Sequence, residues 1–240
     1  MERFFVDPDA IQGKIASITG EDVAHITRVL RLKQGDEIRI CDSHGSEYAA
    51  RLTELHKQSV QAELFEQYPV RTEPTHAVTL YQGLPKAGKM EVIIQKCVEL
   101  GITAIVPMVT ERCVVKPDAD FEKKRVRYQR VAYEAAKQSG RGIVPEIKPL
   151  TTLLKIPYGQ HGLILHAYEA EHTRTLKQAL EGNRAQDIAI LIGPEGGFTK
   201  EEVEQSVANG ATTITLGNRI LRTETAGMAM LAMTLYELEG

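Results

Sequence analysis

The segment PVRTEPTH, residues 69–76, separates two stretches of chain with different hydrophobic rhythms. Before it, short β-like runs alternate with turns: RFFV, KIASIT, DEIRICD, EYAARLTEL and SVQAELFEQY, punctuated by Asp7-Pro8, Gly20, Gly35-Asp36 and Ser43-His44-Gly45. One stretch among them, GEDVAHITRVLRL, carries Val23, Ile26, Val29 and Leu30 at helical spacing. After the two prolines, apolar runs (AVTLYQGL, AIVPMVT, GLILHAY, IAILIG, TTITLG) alternate with helical stretches, the pattern of a mostly parallel sheet covered by helices. The expectation is a small β-barrel with one helix over 1–72 and an α/β domain over 73–240.

Composition narrows the function classes. A chain of 240 residues, 42% hydrophobic and 25% charged, is long enough to bury a real core. The N-terminus MERFFVDPD is too acidic for a signal peptide, and no window is apolar enough to span a membrane, so a cytoplasmic protein is expected. Three widely spaced cysteines (Cys41, Cys97, Cys113) and seven scattered histidines fit neither a disulfide framework nor a metal centre, so no metal is expected. The net charge of −3 argues against a general polyanion binder, but residues 112–148 hold 10 basic and 5 acidic side chains, so contact with a polyanion would be local.

Two helices carry distinctive faces. In FEKKRVRYQRVAYEAAKQSGR, Tyr128, Val131, Ala132 and Ala135 form one stripe, while Lys123, Arg127, Arg130, Lys137 and Arg141, interrupted by Glu134, form another. That second stripe fits either a solvated face or a ridge contacting phosphates. TETAGMAMLAMTLYELEG is apolar nearly all round from Ala226 to Tyr236, which requires burial inside one subunit or between two.

Two strand ends offer a ligand site. LIGPEGGFTKEE ends an apolar run in a turn of one proline and three glycines, and Thr199 with Glu202 has the spacing of a helix capping box. The glycines do not follow the dinucleotide or Walker spacing, and Glu195 places negative charge where phosphates would lie, so a cationic or phosphate-free ligand fits better. TTITLGNRILRTETAG ends a second apolar run in Gly217, followed by Asn218, Arg219, Arg222 and Glu224. Paired loops at strand ends are where open α/β sheets bind ligands, whereas Arg222 with Glu224 also fits a surface ion pair beside a helix start.

Together, LIGPEGGFTKEE and LGNRILRTETA resemble the SPOUT superfamily of S-adenosylmethionine-dependent RNA methyltransferases, and most closely its ribosomal RNA small subunit methyltransferase E family. HITRVLRLKQGDEI (25–38), PKAGKMEVIIQKCVELGITAIVP (85–107) and EAAKQSGRGIVPEI (134–147) extend the resemblance along nearly the whole chain. It implies a PUA-like N-terminal barrel, a C-terminal trefoil knot, which is an exception to the rule that chains avoid knots, and a homodimer formed through the C-terminal domain. The implied reaction is methylation of uracil N3 at one uridine of 16S rRNA in the small ribosomal subunit.

The donor pocket implied by the resemblance takes Leu165 and His166 from one strand end, Ile192, Gly193, Pro194, Glu195, Gly196 and Gly197 from the first loop, and Leu216, Gly217, Asn218, Ile220, Leu221 and Arg222 from the second. Uracil N3–H has a pKa of about 9, so forming its anion at neutrality costs about 3 kcal/mol. Arg222 is the candidate for clamping that charge, and Glu224 or Glu195 for accepting the proton or orienting Arg222. Arg28, Arg31, Lys86, Lys89, Lys123, Arg127 and Arg141 are candidate RNA contacts. Two other classes compete, a noncatalytic RNA-binding or ribosome-assembly factor and a nucleotide-dependent α/β enzyme, the latter disfavoured by the missing phosphate fingerprints.

Overall fold

A computed structural model describes residues 1–86, 88–115 and 121–240. It divides into two compact units, Met1–Glu73 with Ala136–Val144, and Pro74–Ala135 with Pro145–Gly240. The first unit is one six-stranded sheet in the order β1 (Arg3–Phe5), β4 (Glu37–Cys41), β5 (Ser46–Leu55), β6 (Ser59–Pro69), β3 (Ile15–Thr19), β2 (Ile11–Gln12). Apart from the parallel β1–β4 pair, all its pairings are antiparallel. Alternate residues of the strands, among them Phe4, Ile18, Ile38, Ile40, Leu52 and Val60, enter a single core, as a strand's two-residue period requires. No hydrogen-bonded pairing joins β1 to β2 among the described residues, and all six strands surround that one core.

The helix expected in GEDVAHITRVLRL is a short α turn, α1 (Glu21–Ala24), widened into a π turn over His25–Val29. The wider turn shifts the helical phase. Val23 and Ile26 are buried as predicted, but Val29 is 67% exposed. The segment 136–144 joins this unit through specific contacts: Lys137 pairs with Asp22 at 2.8 Å, Arg141 pairs with Glu73, and Val70 packs against Gly142.

The second unit holds a seven-stranded, wholly parallel sheet. Its order is β10 (Thr151–Thr152), β8 (Ala104–Val109), β7 (Ala77–Gly83), β12 (Asp187–Ile192), β11 (Leu163–Ala167), β13 (Thr212–Ile214), with β9 (Glu146–Ile147) also on β8. The strands are almost continuously apolar and buried because helices cover the sheet. The helices are α2 (Lys89–Glu99), α3 (Phe121–Ser139), whose last residues belong to the first unit, α4 (Leu176–Leu180), α5 (Lys200–Ala208) and α6 (Thr223–Glu239).

Parallel pairing aligns the strands' C-terminal ends. Gln82 lies opposite Ile192, His166 opposite Leu191, and Ala167 opposite Ile214. The loops that follow β7, β11, β12 and β13 therefore emerge together on one edge of the sheet.

Candidate active site

Those loops enclose a cavity of about 480 Å³. The turn after β12 forms its floor, from Ile192 through the glycines to Phe198. Gly197 N donates to Pro194 O at 2.9 Å, closing a turn in which Gly197 adopts φ +67°, a left-handed conformation that costs glycine nothing. A Cβ there would also sit 2.7 Å from Glu169 Oε1. The predicted capping box is present: Glu202 N donates to Thr199 Oγ1 at 3.2 Å and Thr199 N to Glu202 Oε2 at 2.9 Å, starting α5. The opening turn is thus both a helix start and a cavity floor.

The turn is held from below by a buried hydrogen-bond chain. Gln82 Nε2 donates to Thr223 Oγ1 at 2.8 Å, and Thr223 Oγ1 donates to Gly193 O at 2.6 Å. Gly83 lies so close to the turn that a Cβ on it would come within 2.6 Å of Pro194. From outside, Arg112 donates to Gly196 O at 3.1 Å. A second wall is made by Ala167, Tyr168 and Glu169, at the start of the loop that runs from β11 to Thr175. Glu171 folds it by accepting from Thr173 N, Thr173 Oγ1, Arg174 N and Thr213 Oγ1 at 2.6 to 3.2 Å. Those bonds, led by the one from the Thr173 hydroxyl, pull the Glu171 carboxyl down to about 2.

Charge is concentrated at one side of the cavity. Lys89 Nζ lies 3.0 Å from Glu195 Oε1 and 3.1 Å from Glu224 Oε2, so a single ammonium links the glycine turn to the first turn of α6. Glu195 also accepts from Lys86 N at 3.1 Å. Burial raises the Glu195 carboxyl, but the bonds from Lys89 and the backbone outweigh it and hold it below the ordinary value. Glu224 is lowered chiefly by its own backbone amide, against burial, with Lys89 and Arg222 adding to the effect. Lys89 is raised by Glu195 and then Glu224. Both carboxylates are therefore charged and paired at neutral pH.

Most of the predicted pocket is brought together: Ile192, Gly193, Pro194, Glu195, Gly196, Gly197, Leu216, Gly217, Ile220, Leu221 and Arg222 all line the cavity. Three residues do not. Leu165 is buried within the sheet, and Asn218 is exposed outside the lining. His166 points into the core, with its Nδ1 2.6 Å from Ser206 Oγ and its ring edge-on to Phe198 at 4.2 Å between centroids. The Ser206 hydroxyl already donates to Val203 O at 2.8 Å, so His166 Nδ1 donates to Ser206 Oγ.

Among the candidate RNA contacts, Arg28, Arg31, Lys86 and Lys123 are exposed. Arg127 is 65% exposed at its side chain and paired with Glu91. Arg141 corrects the expected stripe. Gly140, at φ +75°, ends α3 and turns the guanidinium inward, where it is 5% exposed against Glu73. Lys89 likewise faces the cavity rather than solvent. Sequence reasoning missed the partnership of Lys89, the buried pair Gln82 and Thr223, and Glu169. Thr223 stood inside the quoted RTETA motif, but only the fold shows that it meets residue 193.

Comparison with known proteins agrees with this architecture. Residues 71–235 match the family described as RNA methyltransferase domain, and residues 18–65 match the RNA methyltransferase PUA domain. The fold is thus that of an RNA methyltransferase domain with an added PUA domain. The ribosomal RNA small subunit methyltransferase E of Bacillus subtilis is 35% identical over all of this chain and 98% of its own length. That of Synechocystis is 35% identical over 99% of this chain and 78% of its own. The crystal structure of a ribosomal RNA small subunit methyltransferase E from Neisseria gonorrhoeae bound to S-adenosylmethionine superposes with a TM-score of 0.85 at 32% identity, covering 98% of this chain and 97% of that one. The chain belongs to the ribosomal RNA small subunit methyltransferase E family.

Proposed function

We propose that the cavity binds S-adenosylmethionine and that the protein methylates N3 of one uridine of 16S rRNA in the small ribosomal subunit, as a cytoplasmic homodimer. The observation that carries this reading is the two-loop cavity with two ionised carboxylates on one side, in a chain of this family. At about 480 Å³ the cavity suits a small organic ligand. Its glycine turn lets a ligand approach the backbone, Ile192, Leu216, Ile220 and Leu221 supply apolar wall, and the carboxylates favour a cation over a phosphate.

When bound, the donor supplies an electrophilic methyl group on a positively charged sulfur. The chain's residues do the rest. Arg222 lines the cavity and is exposed, so its guanidinium can face the uracil oxygens and hold the charge left as N3 loses its proton. Glu195 and Glu224, paired with Lys89 and lowered, are weak bases. Orienting Lys89 and Arg222 suits them better than proton abstraction, and alignment of the reacting atoms carries much of the rate.

Arg28, Arg31, Lys86, Lys123 and Arg127 are proposed as RNA contacts, positioning the substrate through its phosphates. The dimer reading rests on α6, where Met233 and Tyr236 remain 42% and 79% exposed on an otherwise apolar helix. The knot reading rests on α6 following the edge strand β13 yet hydrogen-bonding, through Thr223, to the ends of the central strands β7 and β12. The test is methyl transfer from labelled S-adenosylmethionine to small subunits lacking the modification, followed by mapping of the base. Label on uracil N3 of one uridine is expected, and label on another base, or none, overturns the assignment.

A further inference from the structure

We propose that Lys89 is a positioning residue: its ammonium holds the glycine turn and the start of α6 together through Glu195 and Glu224, and so sets the shape of the donor cavity. The proposal rests on the reading of that cavity as the methyl-donor site. Three separate elements meet at Nζ. Lys89 is the first residue of α2, Glu195 lies in the turn after β12, and Glu224 lies in the first turn of α6. The distances, 3.0 and 3.1 Å, leave no room for an intervening water.

All three side chains are about one-quarter exposed, at 23 to 27%, so the pairing is partly shielded from solvent and stronger than a surface ion pair. The turn is tied to α2 a second time by the Lys86 amide on Glu195. The charged groups that bear on this cluster are Lys89, Glu195, Glu224 and, beside Glu224, Arg222; Glu169 and Arg219 line the same cavity.

Removing the ammonium leaves two carboxylates facing each other with no cation between them. Like charges at this range repel, and the pair resists full ionisation. The turn and α6 would then be pushed apart at high pH and drawn together at lower pH, where one proton is shared. A clamp therefore predicts that donor affinity in a Lys89→Met variant weakens as pH rises. Simple attraction of a cationic ligand by unpaired carboxylates predicts the opposite slope.

The experiment is calorimetric titration of the full-length protein with S-adenosylmethionine from pH 5.5 to 8.5. Wild type should bind with little change across that range. Lys89→Met should bind about tenfold more weakly at pH 8, the scale of one lost charge-assisted contact, and recover towards pH 5.5. Lys89→Arg should largely rescue binding, and Lys89→Met combined with Glu224→Gln, which removes the repulsion, should abolish the pH slope. If wild type fails to bind the donor, the cavity reading fails. If wild type binds and Lys89→Met matches it at every pH, or binds more tightly as pH rises, the clamp is wrong.

Discussion

Thr223 and Gly193 are joined by a 2.6 Å hydrogen bond between residues thirty apart in the chain, and Gln82 completes the chain of bonds from a third element, the end of β7. Thr223→Val keeps the shape but removes both roles of the hydroxyl, leaving the Gly193 carbonyl and the Gln82 amide underpaired. A stability loss of about 1–3 kcal/mol is expected from such buried groups. Denaturant unfolding should show it, and donor titration should show weaker binding, with Thr223→Ser close to wild type in both.

Gly197 and Gly210 separate backbone strain from site function. Both have positive φ, +67° and +98°, but only Gly197 lies in the cavity floor. Alanine at either position should cost about 1–2 kcal/mol of stability. Only Gly197→Ala, whose Cβ would also meet Glu169, should reduce donor affinity, and equal donor binding by both variants would remove the turn from the site.

Arg222→Ala tests the proposed charge clamp. Loss of one preorganised donor to a developing anion is expected to lower kcat by about 100-fold. Single-turnover rates at saturating donor would show this, and an unchanged rate would transfer the role elsewhere.

Burial lowers the His166 imidazole to about 4, from an ordinary value of 6.5. The folded protein therefore holds His166 neutral, while the unfolded chain takes up a proton below about 6.5. Stability should fall as pH drops from about 6.5 to about 4, by about 3 kcal/mol at 1.36 per unit, and this contribution should level off below. In urea unfolding across that window, His166→Leu should lack this slope, and an identical slope in the variant would show that the imidazole is not its source.

Met233→Glu with Tyr236→Glu places charges on the exposed side of α6. Sedimentation should show a monomer where wild type is a dimer. A dimer in the variant, or a monomeric wild type, would move the interface or remove it.

Five of the seven strands of the parallel sheet were legible because they are nearly continuous apolar runs, as in β8 and in β12 from Ile188, whereas the two-residue strands β9 and β10 are too short to show a pattern. The capping box was legible because Thr199 and Glu202 interact three residues apart. The errors occurred where sequence spacing was carried beyond one element. Arg141 continued a basic stripe on paper, but the left-handed Gly140 turns it away from the helix. His166 sat at a strand end facing the cavity in sequence, yet its side chain alternates to the other face, onto Ser206. Lys89 was read as an RNA contact because neither of its partners is near it in the chain. Long-range pairings such as 89 with 195 and 224, or 223 with 82 and 193, have no periodicity and become visible only once the strand order is known.

The buried bond from Thr223 also fixes when the site can exist. A ribosome makes the chain in order, so the glycine turn and the walls that follow β11 and β13 are made before α6 emerges. Until α6 docks, the Gly193 carbonyl and the Gln82 amide have no Thr223 to join them and Lys89 has no Glu224. The donor cavity therefore cannot be complete until α6 has been made and has docked, and a nascent chain stalled before residue 223 should be folded over much of its sheet but unable to take up the methyl donor.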